Sequence, residues 1–142
     1  AIADFQGHLT SGTSSISQWA SAGALRNSQE ACEEMREGFH KRRDCIVRLL
    51  SWIEGIRFVP PQGAFYVFVD ISSFLGGKAK IFLGDDIEFC EELLERKNVS
   101  MVPGTAFLSP GFVRISYSCP EKDIREGVRR FGEFLDEIRA DC

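Results

Sequence analysis

Hydrophobic residues recur every three or four positions in four stretches of the chain, which is the spacing of amphipathic helices. The predicted helices cover residues 15–25, 27–55, 85–97 and a final stretch that Pro120 opens. Asn27 and Asp85 are each followed three residues later by a Glu, the arrangement of a capping box at a helix N-terminus. In the last helix, five apolar positions are predicted to form the buried face: Ile124, Val128, Phe131, Leu135 and Ile138.

Four shorter stretches are typical of β-strands, namely residues 56–59, 64–70, 99–102 and 112–118. Prolines and glycines separate them into pairs, at residues 60–63 and 103–104. Residues 64–70 are apolar on both faces, which favours a central strand. The order of elements predicts an α+β fold, a small mixed or antiparallel sheet covered on one face by helices.

The first part of the chain differs in composition from the rest. Residues 1–14 are polar and rich in turn-forming residues, so we expect an ordered loop or arm without a core of its own. Residues 72–84 are expected to form an irregular connection. We therefore divide the chain into residues 1–26, an arm and a helix, and residues 27–142, the α+β domain.

Composition and charge exclude several classes of function. The formal net charge of −4 argues against nucleic acids and anionic membrane surfaces as partners. The longest apolar run, residues 64–69, is too short to span a bilayer. The chain does not begin with Met, and its first residues resemble the interior of a longer protein. The basic cluster at residues 40–43 suits a solvated helix face better than a localisation signal or a nucleic-acid site.

The cysteines and histidines do not indicate a metal site. The five cysteines are scattered without CxxC spacing, and the two histidines, His8 and His40, lie far apart. An odd number of dispersed thiols favours reduced cysteines in a cytoplasmic compartment, with an organelle as the alternative. We predict no bound metal.

Arg114 is the strongest candidate for a functional residue. Val113, Ile115 and Tyr117 alternate along a predicted strand, so Arg114 and Ser116 point to the opposite face. A guanidinium on a rigid strand can bind a carboxylate through two parallel hydrogen bonds, which a lysine cannot match. The spacing alone is equally compatible with an arginine on a solvated strand face.

No self-sufficient active site is visible elsewhere in the sequence. Gly76, Gly77 and Lys78 lack the frame of a phosphate-binding loop, and no cysteine–histidine pair or nucleophile elbow is present. The pair Asp85–Asp86 is explained by helix capping. Gly63 and Gly104 suit either plain turns or a close approach of backbone to a ligand.

Three sets of motifs together resemble the pyridoxal phosphate (PLP) aminotransferases of the aspartate aminotransferase family. Residues 13–20 are similar to the family's T-S-I-x-Q-W-A segment, and residues 61–66 to its P-x-G-A-F-Y turn. Residues 102–107 and 111–117 are similar to V-P-G-x-x-F followed by G-x-x-R-I-S-Y. Where the family often has Ser-Asn-Pro-Thr-Ser, this chain has Ser11-Gly12-Thr13-Ser14-Ser15. The missing proline loosens that turn, which puts a cofactor-proximal role for residues 10–13 in doubt.

The resemblance implies a role for Arg114 and a place for this chain in a larger enzyme. Arg114 would bind the α-carboxylate of an amino acid. The implied substrates are aspartate or a related acidic or aromatic amino acid and, as its partner, a 2-oxo acid. Residues 27–142 would be the small domain, and residues 1–26 would belong to the large-domain and interface region of a homodimer. The alternative is a stand-alone α+β binding or interaction module without catalysis.

The resemblance also implies what this chain lacks. The lysine that binds PLP lies in a Ser-Lys motif upstream of this segment in the family, and no lysine precedes Lys41 here. The groups that hold the pyridine ring are upstream as well. We therefore expect no catalytic residue, no cofactor-binding residue and no bound PLP on this chain, which by itself should be inactive.

Overall fold

The computed structural model of the protein describes residues 1–77 and 80–139. Within them lie five α-helices: α1 (Ile2–Thr10), α2 (Ser15–Arg26), α3 (Glu30–Leu50), α4 (Asp86–Lys97) and α5 (Glu121–Ile138). Four strands form one sheet: β1 (Arg57–Phe58), β2 (Tyr66–Asp70), β3 (Val102–Pro103) and β4 (Phe112–Ser116). No described helix is long and apolar enough to cross a membrane. The chain divides into two compact units, an N-terminal unit, Ala1–Glu37, and a C-terminal unit from Gly38 onward.

The N-terminal unit contains a helix that the sequence did not predict. Residues 2–10, expected in a loop or arm, form α1, with Ile2, Phe5 and Leu9 at helical spacing. The polar residues of this stretch obscure the helical spacing of its three apolar residues. No residue of this unit is buried.

Helix α3 begins and ends differently from the prediction. The Ser28 hydroxyl, rather than the Asn27 side chain, accepts a hydrogen bond from the Glu30 N–H, while Asn27 ends α2. The helix ends at Leu50, five residues before Gly55, and irregular turns follow it. Gly55 has a φ of 85° and faces the Phe74 ring, so it serves the following turn rather than the helix end.

The sheet of the C-terminal unit has the strand order β1-β2-β4-β3, and every pair of neighbours is antiparallel. Alternation along β2 and β4 buries one face of the sheet under helices, which confirms the predicted α+β fold. We call this the covered face and the other the open face. The buried core joins covered-face residues to side chains of α3, α4 and α5, including all five residues predicted for the last helix.

The last two helices have the predicted ends within one or two residues. The Asp85 carboxylate accepts hydrogen bonds from the N–H groups of Ile87 and Glu88 and so caps α4, as the sequence indicated. Asn98 ends α4 in the left-handed conformation. Pro120 was predicted to be the first residue of α5. It is the N-cap instead, and the helix begins one residue later, at Glu121.

Candidate carboxylate-binding site

Arg114 lies in the middle of the sheet, on its open face. It pairs with Phe68 of β2 on one side and Val102 of β3 on the other, so three strands fix its backbone. Val113 and Ile115 are buried on the covered face, as the alternation predicted. The Arg114 side chain is half-buried. Rigid strands on both sides give this guanidinium a defined position.

Two aromatic rings hold the guanidinium of Arg114. Its central carbon lies 4.2 Å from the ring centroid of Tyr66 and 4.4 Å from that of Phe107, which is within the range of cation–π attraction. Among residues 1–77 and 80–139, no carboxylate lies within ion-pair distance of Arg114. The guanidinium is therefore oriented by aromatic faces while its five N–H donors keep no acidic partner from the described chain.

The loop of residues 104–111 carries Phe107 to this position. It begins with a 3-10 helix, Gly104–Phe107, and Leu108 follows with a φ of 57°. A Cβ at Gly104 would lie 2.2 Å from the Ser109 carbonyl oxygen, so only glycine fits. Gly104 therefore serves close packing of this loop on itself. Gly63, by contrast, has no atom within 4 Å of a Cβ built on it.

Asp86 binds the loop that carries Phe107, which the sequence did not reveal. Its side chain is 0% exposed, and it is the one buried charged residue among those described. The carboxylate accepts hydrogen bonds from the Thr105 N–H at 2.7 Å, the Thr105 hydroxyl at 2.8 Å and the Gly111 N–H at 3.3 Å. Helix capping was expected to explain both Asp85 and Asp86. It explains Asp85, but the expectation was wrong for Asp86. Only the tertiary fold brings α4 to this loop.

The protonation of Asp86 follows from these contacts. Burial by itself would raise the pKa of this carboxyl. The hydrogen bonds from Thr105 and Gly111 outweigh burial and lower the pKa below its ordinary value. The group is a carboxylate at neutral pH and keeps all three donors satisfied.

The motif at residues 61–66 places Tyr66 beside Arg114. Ala64 adopts a φ of 57°, and its carbonyl oxygen accepts a hydrogen bond from the buried Tyr117 hydroxyl at 3.1 Å. The Phe65 carbonyl oxygen accepts from the Tyr117 N–H at 2.9 Å. The turn before β2 is thus tied to the end of β4, and two segments that are about 50 residues apart in sequence become neighbours.

The open face continues away from Arg114 as an apolar surface ending in an ion pair. The rings of Phe68 and Phe112 stack with centroids 5.1 Å apart. Beyond them the Asp70 carboxylate accepts from Arg57 at 2.8 Å and from the Ser72 N–H at 2.9 Å. Burial would raise the pKa of Asp70, but the hydrogen bonds from Ser72 and Arg57 lower it. Arg57 is therefore already paired, unlike Arg114.

The remaining sequence candidates lie outside this arrangement. The basic cluster at residues 40–43 lies along α3, where Lys41 is exposed and Arg43 pairs with Asp44 at 2.7 Å. Cys32, Cys45, Cys90 and Cys119 are free thiols, and burial raises the pKa of Cys90 to about 12. In the described residues no cluster of three potential metal ligands occurs. Lys78 and Cys142 lie outside the described residues.

Comparison with known proteins identifies the class to which this fold and these motifs belong. The family model for aminotransferase class I and II matches residues 1–131. The chain belongs to that family, which confirms the resemblance read from its motifs.

Individual relatives extend the comparison. A probable aspartate/prephenate aminotransferase from Aquifex aeolicus is 40% identical over 139 residues, 96% of this chain and 34% of that protein. The crystal structure of the aspartate aminotransferase from Rhizobium meliloti superimposes with a TM-score of 0.87 at 38% identity, over 96% of this chain and 34% of that one. An aromatic aminotransferase structure from Pyrococcus horikoshii gives 0.83 at 31% identity, over 94% and 35%. The chain spans about a third of the length of these relatives.

PLP is the cofactor that the family implies, and the residues around Arg114 do not suffice to hold it. Binding of the PLP aldehyde needs a lysine. Strands β2 and β4 and the loop 104–111, which surround Arg114, contain no lysine. Lys97 pairs with Glu137 on the helical side, and Lys122 is exposed on α5. The described site therefore suits a carboxylate rather than the cofactor.

Proposed function

We propose that this chain is part of a PLP-dependent aminotransferase and that Arg114 binds the α-carboxylate of its amino-acid substrate. The observation that carries the proposal is the guanidinium of Arg114, fixed by three strands and two rings without an acidic partner among the described residues. Family membership supports the reaction class. Aspartate or a related acidic or aromatic amino acid is the proposed donor and a 2-oxo acid the acceptor, in keeping with the names of the relatives.

The residues around Arg114 favour a carboxylate for physical reasons. The ring faces of Tyr66 and Phe107 contact the planar guanidinium, and its N–H groups, which have no acidic partner among the described residues, can form two parallel hydrogen bonds with a carboxylate. The rings also displace water from its faces, and charge-assisted hydrogen bonds are stronger where water is excluded. Arg114 would orient the substrate and hold it during the reaction. PLP, bound by groups of the whole protein, would supply the electron sink for the transfer of the amino group.

In this proposal residues 27–142 are the small domain and residues 1–26 belong with the large domain and the subunit interface. The compartment is proposed to be cytoplasmic, which the free, scattered thiols support. By itself the 142-residue chain should show no transaminase activity. A PLP adduct at a lysine of this chain that survives borohydride reduction, together with turnover, would overturn that expectation.

The role of Arg114 is tested in the whole protein by Arg114→Lys. The fork becomes a point charge, and the loss of one charge-assisted hydrogen bond costs about 1.5 to 3 kcal/mol, so kcat/KM should fall roughly 10- to 150-fold for all amino donors. Arg57→Lys is the matched control, because Arg57 is also on the sheet but is 83% exposed and already paired with Asp70. Unchanged kinetics of Arg114→Lys for every donor would disprove the role, and absence of turnover in the unaltered whole protein would favour a module without catalysis.

A homodimer is the proposed assembly, and the N-terminal unit supports it. Ile16 and Trp19 lie one helical turn apart on α2, and the Trp19 side chain is 76% exposed. Such an apolar stripe is costly to leave in water, and pairing with a second copy would cover it. Light scattering of the chain should give a dimer, and deletion of residues 1–26 a folded monomer. A monomeric full chain whose Trp19 fluorescence reports an exposed indole would count against pairing.

A further inference from the structure

One buried carboxylate, that of Asp86, holds both ends of the loop that places an aromatic ring on Arg114. At the start of the loop it accepts from the N–H and the hydroxyl of Thr105, and at the end from the N–H of Gly111. Gly111 has a φ of 85°, and its carbonyl oxygen accepts from the Ile71 N–H at 3.0 Å. Strand β4 begins with the next residue. The same side chain therefore fixes the loop and the start of the strand that carries Arg114.

The ring of Phe107 depends on this loop for its position. Phe107 is 41% exposed and is not part of the hydrophobic core. Its described aromatic contacts are an edge-to-face contact with Phe68, with centroids 6.2 Å apart, and the contact with Arg114. A half-exposed ring without core packing is located by its backbone, so a loosened loop would let it leave the guanidinium.

We propose that Asp86 is a positioning residue for the carboxylate site, acting through the loop 104–111 and the Phe107 ring to hold the Arg114 guanidinium in one orientation. The inference rests on the proposed function of Arg114 but concerns a residue that itself touches no substrate. Asp86 and Asp85 are neighbours in sequence with separate tasks: Asp85 caps α4, and Asp86 joins α4 to the site.

The chemistry of this position favours a carboxylate. Its oxygens accept from three donors, and an alanine would leave the Thr105 and Gly111 N–H groups without an acceptor. An asparagine has nearly the same shape and keeps one oxygen for the Thr105 N–H, while its NH2 group can donate to the Thr105 hydroxyl. Only the longest of the three contacts, that from the Gly111 N–H, loses its acceptor. Asp86→Asn should therefore retain most of the loop, and Asp86→Ala should release it.

The test uses the 142-residue chain and follows the Nε–H resonance of Arg114 by NMR. Because the guanidinium lies against two ring faces, ring currents should shift this resonance upfield in the unaltered chain. In Asp86→Ala the contribution of Phe107 should disappear and the Nε–H should exchange faster with water. Asp86→Asn should restore most of the shift. Asp85→Ala is the matched control, since it weakens the same helix by removing its cap but does not touch the loop.

Thr105→Val provides a second route if Asp86→Ala does not fold. It keeps the shape of the side chain and removes the hydroxyl donor, so it should give a smaller change of the same sign at Arg114. The proposal is overturned if the Arg114 resonance is unchanged in a folded Asp86→Ala or Thr105→Val variant. It is also overturned if Asp85→Ala changes the resonance as much as Asp86→Ala does, since loss of helix stability would then be the cause.

A titration with maleate separates this inference from the proposed function. Maleate should shift the Arg114 resonance of the unaltered chain, and its dissociation constant should rise on the order of tenfold in Asp86→Ala. If maleate shifts no variant, carboxylate binding by Arg114 fails while the ring-current result still decides the positioning role. If maleate binds all variants equally, the site stands and the positioning role of Asp86 is disproved.

Discussion

The two faces of the sheet alternate along the same strands but carry residues of opposite kinds. On the covered face Val67, Val69 and Val113 are almost fully buried against helices. On the open face Tyr66 and Arg114 are half-buried and meet no helix core. Successive residues of one strand therefore have different surroundings, because their side chains point alternately to the core and to the open face. The buried core lies on one face and the proposed carboxylate site on the other.

The largest expected effect comes from breaking the covered face. Phe131 of α5 is 0% exposed and packs edge-to-face on Phe89, with centroids 6.3 Å apart. Phe131→Ala should lower the free energy of unfolding by about 3 to 5 kcal/mol, because it leaves a cavity in a dense core. That is a large part of the total stability of a domain of this size, commonly about 5 to 15 kcal/mol.

Phe107→Ala makes the same substitution on the open face and serves as the matched comparison. We expect it to cost about 1 kcal/mol, since the ring is half-exposed and leaves no closed cavity. Urea denaturation followed by circular dichroism measures both variants. Equal losses in the free energy of unfolding would show that the open face contributes as much to stability as the covered face.

The next largest effect concerns two turn glycines, Gly104 and Gly63. Gly104→Ala puts a Cβ 2.2 Å from the Ser109 carbonyl oxygen and 2.8 Å from that of Phe112, both backbone atoms that cannot move cheaply. We expect a loss of about 2 to 4 kcal/mol in the free energy of unfolding or a displaced loop. Gly63→Ala, where the new methyl meets nothing within 4 Å, should change stability by less than about 1 kcal/mol. A Gly104→Ala variant as stable as Gly63→Ala would show that the loop adjusts freely.

The smallest expected effect is a dependence of stability on acidic pH. The pKa of Asp86 is lowered in the folded chain, because the hydrogen bonds from Thr105 and Gly111 outweigh burial. A lowered folded pKa stabilises the fold above the unfolded value of about 3.9, and this contribution is lost as the pH falls through the folded pKa. Asp86→Asn should therefore flatten the loss of stability below about pH 4, relative to the unaltered chain. Denaturant midpoints at several pH values measure it, and parallel curves for both chains would contradict it.

The strongly periodic segments could be predicted from the sequence, and the reason is local. Helix α5 has apolar residues at three- and four-residue spacing, and Asp85 is a short acceptor directly before a helix, so both elements follow from nearby residues. Helix α1 could not be found this way, since Gln6, Gly7 and His8 interrupt its weak apolar pattern. The early end of α3 at Leu50 also depends on packing of the turn that follows.

The site was predicted in part. The alternation around Arg114 and its position on a strand were readable, because a strand sends successive side chains to opposite faces. Tyr66 and Phe107 lay within recognised motifs, but nothing local indicated that both rings contact the same guanidinium. Asp86 gave no signal at all, since its partners Thr105 and Gly111 are 19 and 25 residues away.

The sequence by itself determined the class of fold, the family and the face of the strand on which Arg114 lies. These depend on periodicity and on short motifs, in which each residue acts with close neighbours. Only the tertiary structure decided which residues surround Arg114 and how the loop beside it is held. Those contacts join segments distant along the chain, and their geometry follows from how strands pair and how a buried carboxylate finds its donors.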